Sequence, residues 1–145
     1  VNQAMPTHTL GRLKSLLNGE LDQKSILLLG VSYRQDIGDT RYSPVEIIAR
    51  ALEANGACVT GFDPFLNRWP EMDRSMPISL PKASGFDAIV ITTPHREFLE
   101  LNLEKWLGKA RPVVLDAANV INRDQRQRCR VLGIRIESVG RGDGL

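Results

Sequence analysis

Short apolar runs and longer amphipathic stretches succeed one another along the chain. SILLLG (25–30) and DAIVITT (87–93) are nearly continuous apolar runs, which is typical of strands buried on both faces of a parallel sheet. ACVTGFDP (57–64) predicts another strand, placing Cys58 in a buried position and ending at an Asp-Pro turn signal. RPVVLDA (111–117) predicts a further strand, and the alternating IRIESVG (134–140) an edge strand.

Amphipathic stretches predict the helices between these strands. A leading helix spans Met5 to Asn18, with leucines at helical spacing, and ends before Gly19. A second helix begins with Ser43 as its N-cap and Pro44 in its first turn, and its apolar face comprises Val45, Ile48, Ala49 and Leu52. A broken helical stretch covers 95–109, and a short helix covers 122–133.

The order of these elements predicts the fold class. Strands alternate with helices after the leading helix, which indicates an α/β domain: a Rossmann-like, three-layer arrangement with a mostly parallel sheet and right-handed crossovers. The 145 residues are about enough for one domain, and 42% of them are hydrophobic. The proline-containing stretch 65–85 is predicted to be irregular, with at most a short helix.

Composition narrows the function classes. The net charge of +2 and the absence of a basic run argue against a nucleic-acid partner. No apolar run approaches the roughly 18 residues of a membrane span, and no signal peptide is visible, so we expect a cytoplasmic protein with no membrane partner. Cys58 and Cys129 form no metal-binding motif, and we predict no metal site. The chain lacks an initiator Met, which suggests a fragment or a processed product.

Candidate site residues follow the predicted strands, because ligands of doubly wound sheets bind at the carboxyl ends of the strands. The loop after Gly30 has Ser32 and Gln35 where a dinucleotide fingerprint would have glycines, so this loop alone is a poor nicotinamide site. It offers Arg34 and Arg41 instead, whose guanidinium groups suit phosphate, and Tyr33, which could stack on a base. The alternative is an ion-paired loop, with the arginines held by Asp36 and Asp39.

Other polar residues at strand ends have structural interpretations at least as strong as functional ones. Asp63 could bind a ribose hydroxyl, but capping of the Asp-Pro turn is favoured. His95 could act near neutral pH, but capping of the following helix is favoured. Asp116 and Asn119 are expected to form a turn. The remaining candidates, which we expect to be surface or packing residues, are His8, Trp69 and Trp106.

The loop segment also carries a family resemblance. LGVSYRQDIGDTRYSP (29–44) resembles a signature of the C-terminal domain of the UDP-glucose/GDP-mannose dehydrogenase family, roughly L-G-x-(A/S)-F-K-x-x-T-x-D-x-R-x-S-P. Tyr33 stands at the Phe of that signature, Arg34 at its Lys and Ile37 at its Thr. Further segments resemble the family in the same order: GFDP (61–64), DAIVITTPHREF (87–98), VVLDAANVI (113–121) and VLGIRIESVGRG (131–142).

The resemblance implies a function. Enzymes of this family use NAD⁺ to oxidise the C6 alcohol of a nucleotide sugar to a carboxylate, for polysaccharide biosynthesis. Tyr33 and Arg34 stand where the family contacts the nucleotide sugar, and Arg41 where it reaches the NAD held mainly by the N-terminal domain. The family's catalytic Cys lies in a GGSCFPKD-like motif that this sequence lacks. No residue here is therefore assigned as catalytic, and the chain alone is expected to be inactive.

The resemblance also implies an organisation into parts. Residues 1–19 resemble the end of the family's long central dimerisation helix, and 20–145 its UDP-binding domain, so the full enzyme is expected to be a homodimer. Ala118 replaces an Arg that contacts substrate, which leaves UDP-glucose and UDP-N-acetylhexosamine both open as the sugar. Two alternatives remain: a non-catalytic nucleotide-binding or dimerisation module, and an unrelated α/β enzyme such as a flavodoxin-like or single-domain NAD-binding protein.

Overall fold

A parallel five-stranded sheet forms the centre of the protein in the computed structural model, which describes residues 4–139. The sheet order is β2-β1-β5-β6-β7, and every neighbouring pair is parallel. The strands of the chain are β1 (Ser25–Leu29), β2 (Cys58–Phe62), β3 (Arg68–Trp69), β4 (Arg74–Ser75), β5 (Ala88–Ile91), β6 (Val113–Asp116) and β7 (Ile136–Ser138). The predicted α/β fold class is thus confirmed, with the strand order of a doubly wound sheet.

Helices cover both faces of the sheet. They are α1 (Ala4–Leu16), α2 (Val45–Ala54), α3 (Arg96–Leu99), α4 (Leu103–Leu107) and α5 (Arg123–Val131). Ile26 and Leu28 of β1 belong to the core cluster beneath α1 and α2, whereas Leu27 and Leu29 belong to the cluster on the opposite face. Because successive strand residues face opposite sides, this strand must be apolar throughout, which confirms the interpretation of its sequence.

Helix α2 begins one residue later than predicted, with Pro44 rather than Ser43 at its N-cap position. Ser43 Oγ accepts a hydrogen bond from the Val45 backbone N–H at 3.2 Å, so the Ser43 side chain still satisfies one donor of the first turn. The four predicted apolar positions of the helix, Val45, Ile48, Ala49 and Leu52, are all buried. The long stretch predicted as broken helix likewise forms two short helices, α3 and α4, because Asn102 caps the second of them by accepting from Lys105 N–H at 3.1 Å.

Two predictions are corrected, one about the second strand and one about the stretch 65–85 that follows it. Cys58 lies in β2 but is exposed, because β2 is an edge strand that pairs only with β1 within the described sheet. The stretch 65–85, predicted to be irregular, contains the antiparallel hairpin β3–β4. Asp73, at φ 49°, closes its turn, and Trp69 is buried beneath it. Arg74 fixes the hairpin to α2 through two hydrogen bonds to the Glu53 carboxylate, at 2.7 and 2.9 Å.

The leading helix packs on the domain. Leu13 and Leu16 of α1 are buried in the core cluster that also contains α2, and Arg12 Nη2 lies 2.8 Å from Glu137 Oε1 on β7. The division of the chain at residue 19 stays a prediction. Residues 1–3, the first part of the predicted helical segment 1–19, and residues 140–145, which include the GRG of the closing family segment, lie outside the described residues. Within 4–139, no helix is long and apolar enough to cross a membrane.

The two thiols are expected to differ in reactivity. Cys58 is exposed, whereas Cys129 is fully buried on α5 and burial raises its pKa, so its nucleophilic thiolate is disfavoured. Under native conditions one equivalent of a thiol reagent should react within minutes, and Cys58→Ser should abolish this phase. A second equivalent should require denaturant. Equal reactivity of both thiols in the folded chain would contradict the placement of Cys129.

Candidate functional site

The candidate site lies where the strand order reverses. β1 and β5 are adjacent at the centre of the sheet, and the connections leaving their carboxyl ends diverge on opposite faces, which creates the usual ligand crevice of this fold. Gly30 ends β1 at φ +100°, and a Cβ there would come within 2.9 Å of Thr93 N and still closer to the Thr93 side chain. Glycine is required here because the two strand ends approach each other so closely.

Asp63, at the end of β2, is the anchor of this crevice. Its side chain is fully buried. Oδ2 accepts from Val31 N–H at 2.9 Å, Ser32 N–H at 3.1 Å, Ser32 O–H at 2.8 Å and the His95 ring at 3.0 Å. Oδ1 accepts from Phe65 N–H at 3.0 Å, which confirms the predicted turn cap. With both oxygens engaged and buried, Asp63 is not placed to bind a ribose hydroxyl.

The charge of Asp63 is stabilised by these donors. Burial opposes ionisation, but hydrogen bonds from His95, Phe65 N–H and Ser32 together hold the pKa of Asp63 below its ordinary value. A buried carboxylate with this many donors is expected to remain ionised, since its neutral form would lose the charge-assisted bonds. Asp63 is therefore a fixed negative charge that organises the loop.

His95 connects the loop after β1 to the loop after β5. Its ring is fully buried, and Nδ1 accepts from the Asp36 backbone N–H at 2.8 Å. Because Nδ1 is an acceptor, the proton of the neutral ring is on Nε2, which donates to Asp63. The predicted capping role is only partly right: His95 stands at the N-cap position of α3 but its side chain makes no cap hydrogen bond. Asp36 Oδ1 accepts from Arg96 N–H at 2.7 Å instead.

Asp116, at the end of β6, forms the turn that its position predicts. Its two carboxylate oxygens accept backbone hydrogen bonds from Ala118, Val120 and Ile121 at 2.8–3.1 Å. Asn119 adopts φ 58° at the tip of this turn. Ala118 is partly buried against the core cluster beneath α3, α4 and α5. The turn is therefore built around a buried acceptor.

The three residues assigned to binding lie on the open surface of the loop. Tyr33 is 50% exposed, and its N–H bonds to Asp39 O at 2.7 Å. Arg34 is exposed and its guanidinium makes no hydrogen bond or ion pair within residues 4–139. Arg41 forms a two-point pair with Asp39, Nε to Oδ1 at 3.0 Å and Nη2 to Oδ2 at 2.9 Å. Bonding to Arg41 lowers the pKa of Asp39 to about 2.

The ion-paired interpretation of the loop thus holds for one arginine only. Arg41 is held by Asp39, and Asp36 faces the Arg96 backbone. Arg34 makes no ion pair within residues 4–139, although its charge also helps to lower the pKa of Asp39. A depression of about 450 Å³ lies beside the end of β2, lined by Asp63–Arg68, Pro70 and Ile78, and a smaller one of about 240 Å³ lies between α5 and β7. Tyr33, Arg34 and Arg41 line neither of these two depressions.

The loop does not fit a nicotinamide dinucleotide by itself. At the second fingerprint position, Ser32 is buried and gives both its N–H and its O–H to Asp63, so its amide cannot approach a pyrophosphate. The acid at the end of β2 is equally inaccessible.

Sequence reasoning missed the buried Asp63–His95 pair as a unit. Each residue was recognised as polar and adjacent to a strand end, but their pairing depends on β2 and β5 flanking β1. The sequence does contain a signal for this pair: polar residues follow β1, β2 and β5, the three strands next to the point where the strand order reverses.

The remaining candidates lie at packing or surface positions, as predicted. Trp69 is buried, the Trp106 ring N–H donates to Pro81 O at 3.0 Å, and His8 is exposed.

A parallel doubly wound sheet with a non-glycine loop at its switch point defines a Rossmann-like class of α/β domain. Residues 27–123 match the model of the UDP-glucose/GDP-mannose dehydrogenase family, UDP binding domain. The chain belongs to this family, which confirms the resemblance of its loop signature.

Curated relatives and solved structures agree. The chain is 28% identical over 146 residues to a UDP-glucose 6-dehydrogenase of Rickettsia conorii, covering 96% of this chain and 33% of the relative. It is 32% identical over 153 residues to a UDP-N-acetyl-D-mannosamine dehydrogenase of Pyrococcus horikoshii, covering 99% and 32%. A solved NDP-N-acetyl-D-galactosaminuronic acid dehydrogenase of Methanosarcina mazei superposes with a TM-score of 0.78 at 27% identity, covering 97% and 30%. The chain spans about one third of the length of each of these relatives.

Proposed function

We propose that the chain is the C-terminal nucleotide-sugar-binding domain of an NAD-dependent UDP-sugar 6-dehydrogenase. The observation that carries the proposal is the loop 30–43. It combines the family signature with an exposed aromatic ring at Tyr33 and a guanidinium at Arg34 that makes no ion pair among residues 4–139. A planar, multiply donating cation suits the diphosphate, and the neighbouring ring suits the base or sugar. These two residues are the proposed substrate contacts.

Arg41 has a separate proposed role. Its side chain is exposed and pre-oriented by Asp39, so it points a fixed cation away from the fold. We assign it to a cofactor contact, with NAD held mainly by an N-terminal domain. When bound, NAD⁺ would accept the hydride in each oxidation of the C6 carbon. Since the sequence has no catalytic-cysteine motif, the domain contributes binding and orientation rather than the covalent step.

The identity of the sugar depends on more than this domain's signature. Relatives are named for UDP-glucose and for UDP-N-acetylated hexosamines. Ala118 supplies no guanidinium, so any contact that other members make from this position has to come from another residue. The proposal therefore commits to a UDP-hexose and to oxidation at C6.

A titration of the ¹⁵N-labelled chain with UDP tests the substrate role. Amides of Tyr33 and Arg34 should shift with millimolar UDP, and more weakly with uridine, which lacks the phosphates. Arg34→Gln should weaken binding about tenfold, the loss of one charge-assisted contact worth about 1.4 kcal/mol. Arg130→Gln removes a similarly exposed arginine from α5 and should leave the affinity unchanged. Shifts confined to other surfaces would contradict the assignment.

A non-catalytic nucleotide-binding or dimerisation module is the second candidate. Ala117 and Ala118, at positions where the family has Gly and Arg, are the observation that favours it. The reading frame upstream of Val1 separates the two. A G-x-G-x-x-G segment followed by a GGSC-type motif supports the dehydrogenase, and a frame without them supports the module.

A further inference from the structure

We infer that His95 is a positioning residue, whose neutral ring holds the loop 31–36 in the conformation that presents Tyr33 and Arg34 to a nucleotide. The loop is fixed at both ends. Asp63 accepts from the N–H groups of Val31 and Ser32, and His95 Nδ1 accepts from that of Asp36. The three exposed residues 33–35 lie between these anchors.

The second anchor holds a strained residue. Asp36 adopts φ 58°, a left-handed conformation that is uncommon for non-glycine residues, although Asp tolerates it better than most. Its N–H donates to His95, and its carboxylate accepts from Arg96 N–H, so the loop after β5 holds it on two sides. Release of the N–H bond would allow Asp36 to relax and would move Arg34, two residues away.

The ring itself is held rigidly. Phe65 and Phe98 pack around His95 with centroid distances of 5.1 and 5.7 Å, and Asp63 accepts from Nε2. The ring has no exposed surface, so it cannot touch a ligand and acts only through the loop. The groups that face it are the carboxylates of Asp63 and Asp36, the latter 4.0 Å from Nδ1.

Three substitutions separate the two hydrogen bonds of the ring. His95→Asn can place its side-chain oxygen near the position of Nδ1 and keep the acceptor for Asp36. His95→Gln can place its amide near Nε2 and keep the donor to Asp63. His95→Phe keeps the aromatic packing and loses both bonds. His8→Phe, at the exposed histidine of α1, is the matched control.

The first arm needs no ligand. In the wild-type chain, the ¹⁵N shifts of the His95 ring should show the tautomer protonated at Nε2. Hydrogen exchange of the Tyr33 and Asp36 amides should accelerate at least tenfold in the Phe and Gln variants, and much less in the Asn variant. Equal exchange in the Asn and Gln variants, or the opposite tautomer, would overturn the inference.

The second arm rests on the proposed function. The dissociation constant for UDP should rise about tenfold in the Phe and Gln variants and stay within about threefold of wild type in the Asn and His8→Phe variants. The Asn variant loses the charge-assisted bond to Asp63 and should melt no higher than the Gln variant, so a purely structural role would not give the Asn variant the higher affinity. If the wild type does not bind UDP, the proposed function fails while the exchange arm still decides the positioning role.

Discussion

Replacing Asp63 with Asn is expected to lower the free energy of unfolding by about 3 kcal/mol. The substitution preserves shape but removes the charge. Even with the Asn oxygen turned toward Val31, Ser32 and His95, its NH₂ group faces the Phe65 N–H, which is also a donor. At least one buried donor then loses its acceptor, and the remaining bonds are no longer charge-assisted. Urea denaturation at neutral pH measures the effect.

The control is Asp87→Asn. Asp87 also lies beside a strand end and accepts one backbone hydrogen bond, from Ser25 N–H at 2.8 Å, but it is exposed. Its substitution should cost less than about 1 kcal/mol, since water can replace the lost bond. An equal loss of unfolding free energy in both variants would contradict the claim that burial makes the Asp63 hydrogen bonds more stabilising than that of Asp87.

The charge of Asp63 also predicts a pH dependence. Its folded-state pKa lies below the unfolded value of about 4. Its stabilising contribution is therefore complete above pH 4 and is lost as the pH falls through the folded-state pKa. Wild type should lose more stability than Asp63→Asn in this window. Repeating the measurement in 1 M NaCl screens the exposed Asp39–Arg41 pair, which titrates in the same range.

Replacing Gly30 with Ala is expected to cost about 4 kcal/mol. The backbone at φ +100° is strained for any residue with a Cβ, and that atom would overlap Thr93 where β1 and β5 are closest. Thr92 and Thr93 also bond across this junction, to Leu29 O, Gly30 O and Ser32 O, so the strands cannot separate without losing those bonds. Thermal and urea denaturation should agree on the loss.

Two other glycines separate the backbone strain from the overlap with Thr93 as causes of the loss of stability in Gly30→Ala. Gly133 has φ +79° but open space around its Cα, so Gly133→Ala isolates the backbone strain and should cost about 1 kcal/mol. Gly85 has neither a positive φ nor a neighbour within 4 Å, so Gly85→Ala should be nearly neutral. If Gly30→Ala cost no more than Gly133→Ala, the close approach of β1 and β5 would be refuted.

Much of the fold could be predicted because its determinants are local. The apolar run of β1 specifies a strand, and Ser43-Pro44 with the spaced apolar face of α2 specifies a helix, without reference to the rest of the chain. The hairpin β3–β4 could not be predicted, because its strands have two residues each and depend on Trp69 packing and on the Arg74–Glu53 pair. The exposure of Cys58 likewise depends on strand order.

The sequence by itself determined the fold class, the family signature and the residues that the loop displays, since these follow from periodicity and from the order of side chains. Only the tertiary structure decided what holds that loop. Asp63 and His95 lie 32 residues apart in sequence and meet because β2 and β5 flank β1. The same folding pairs Arg41 with Asp39 and directs Asp36 toward the Arg96 backbone, so Arg34 makes no ion pair in the part of the chain that the structure describes.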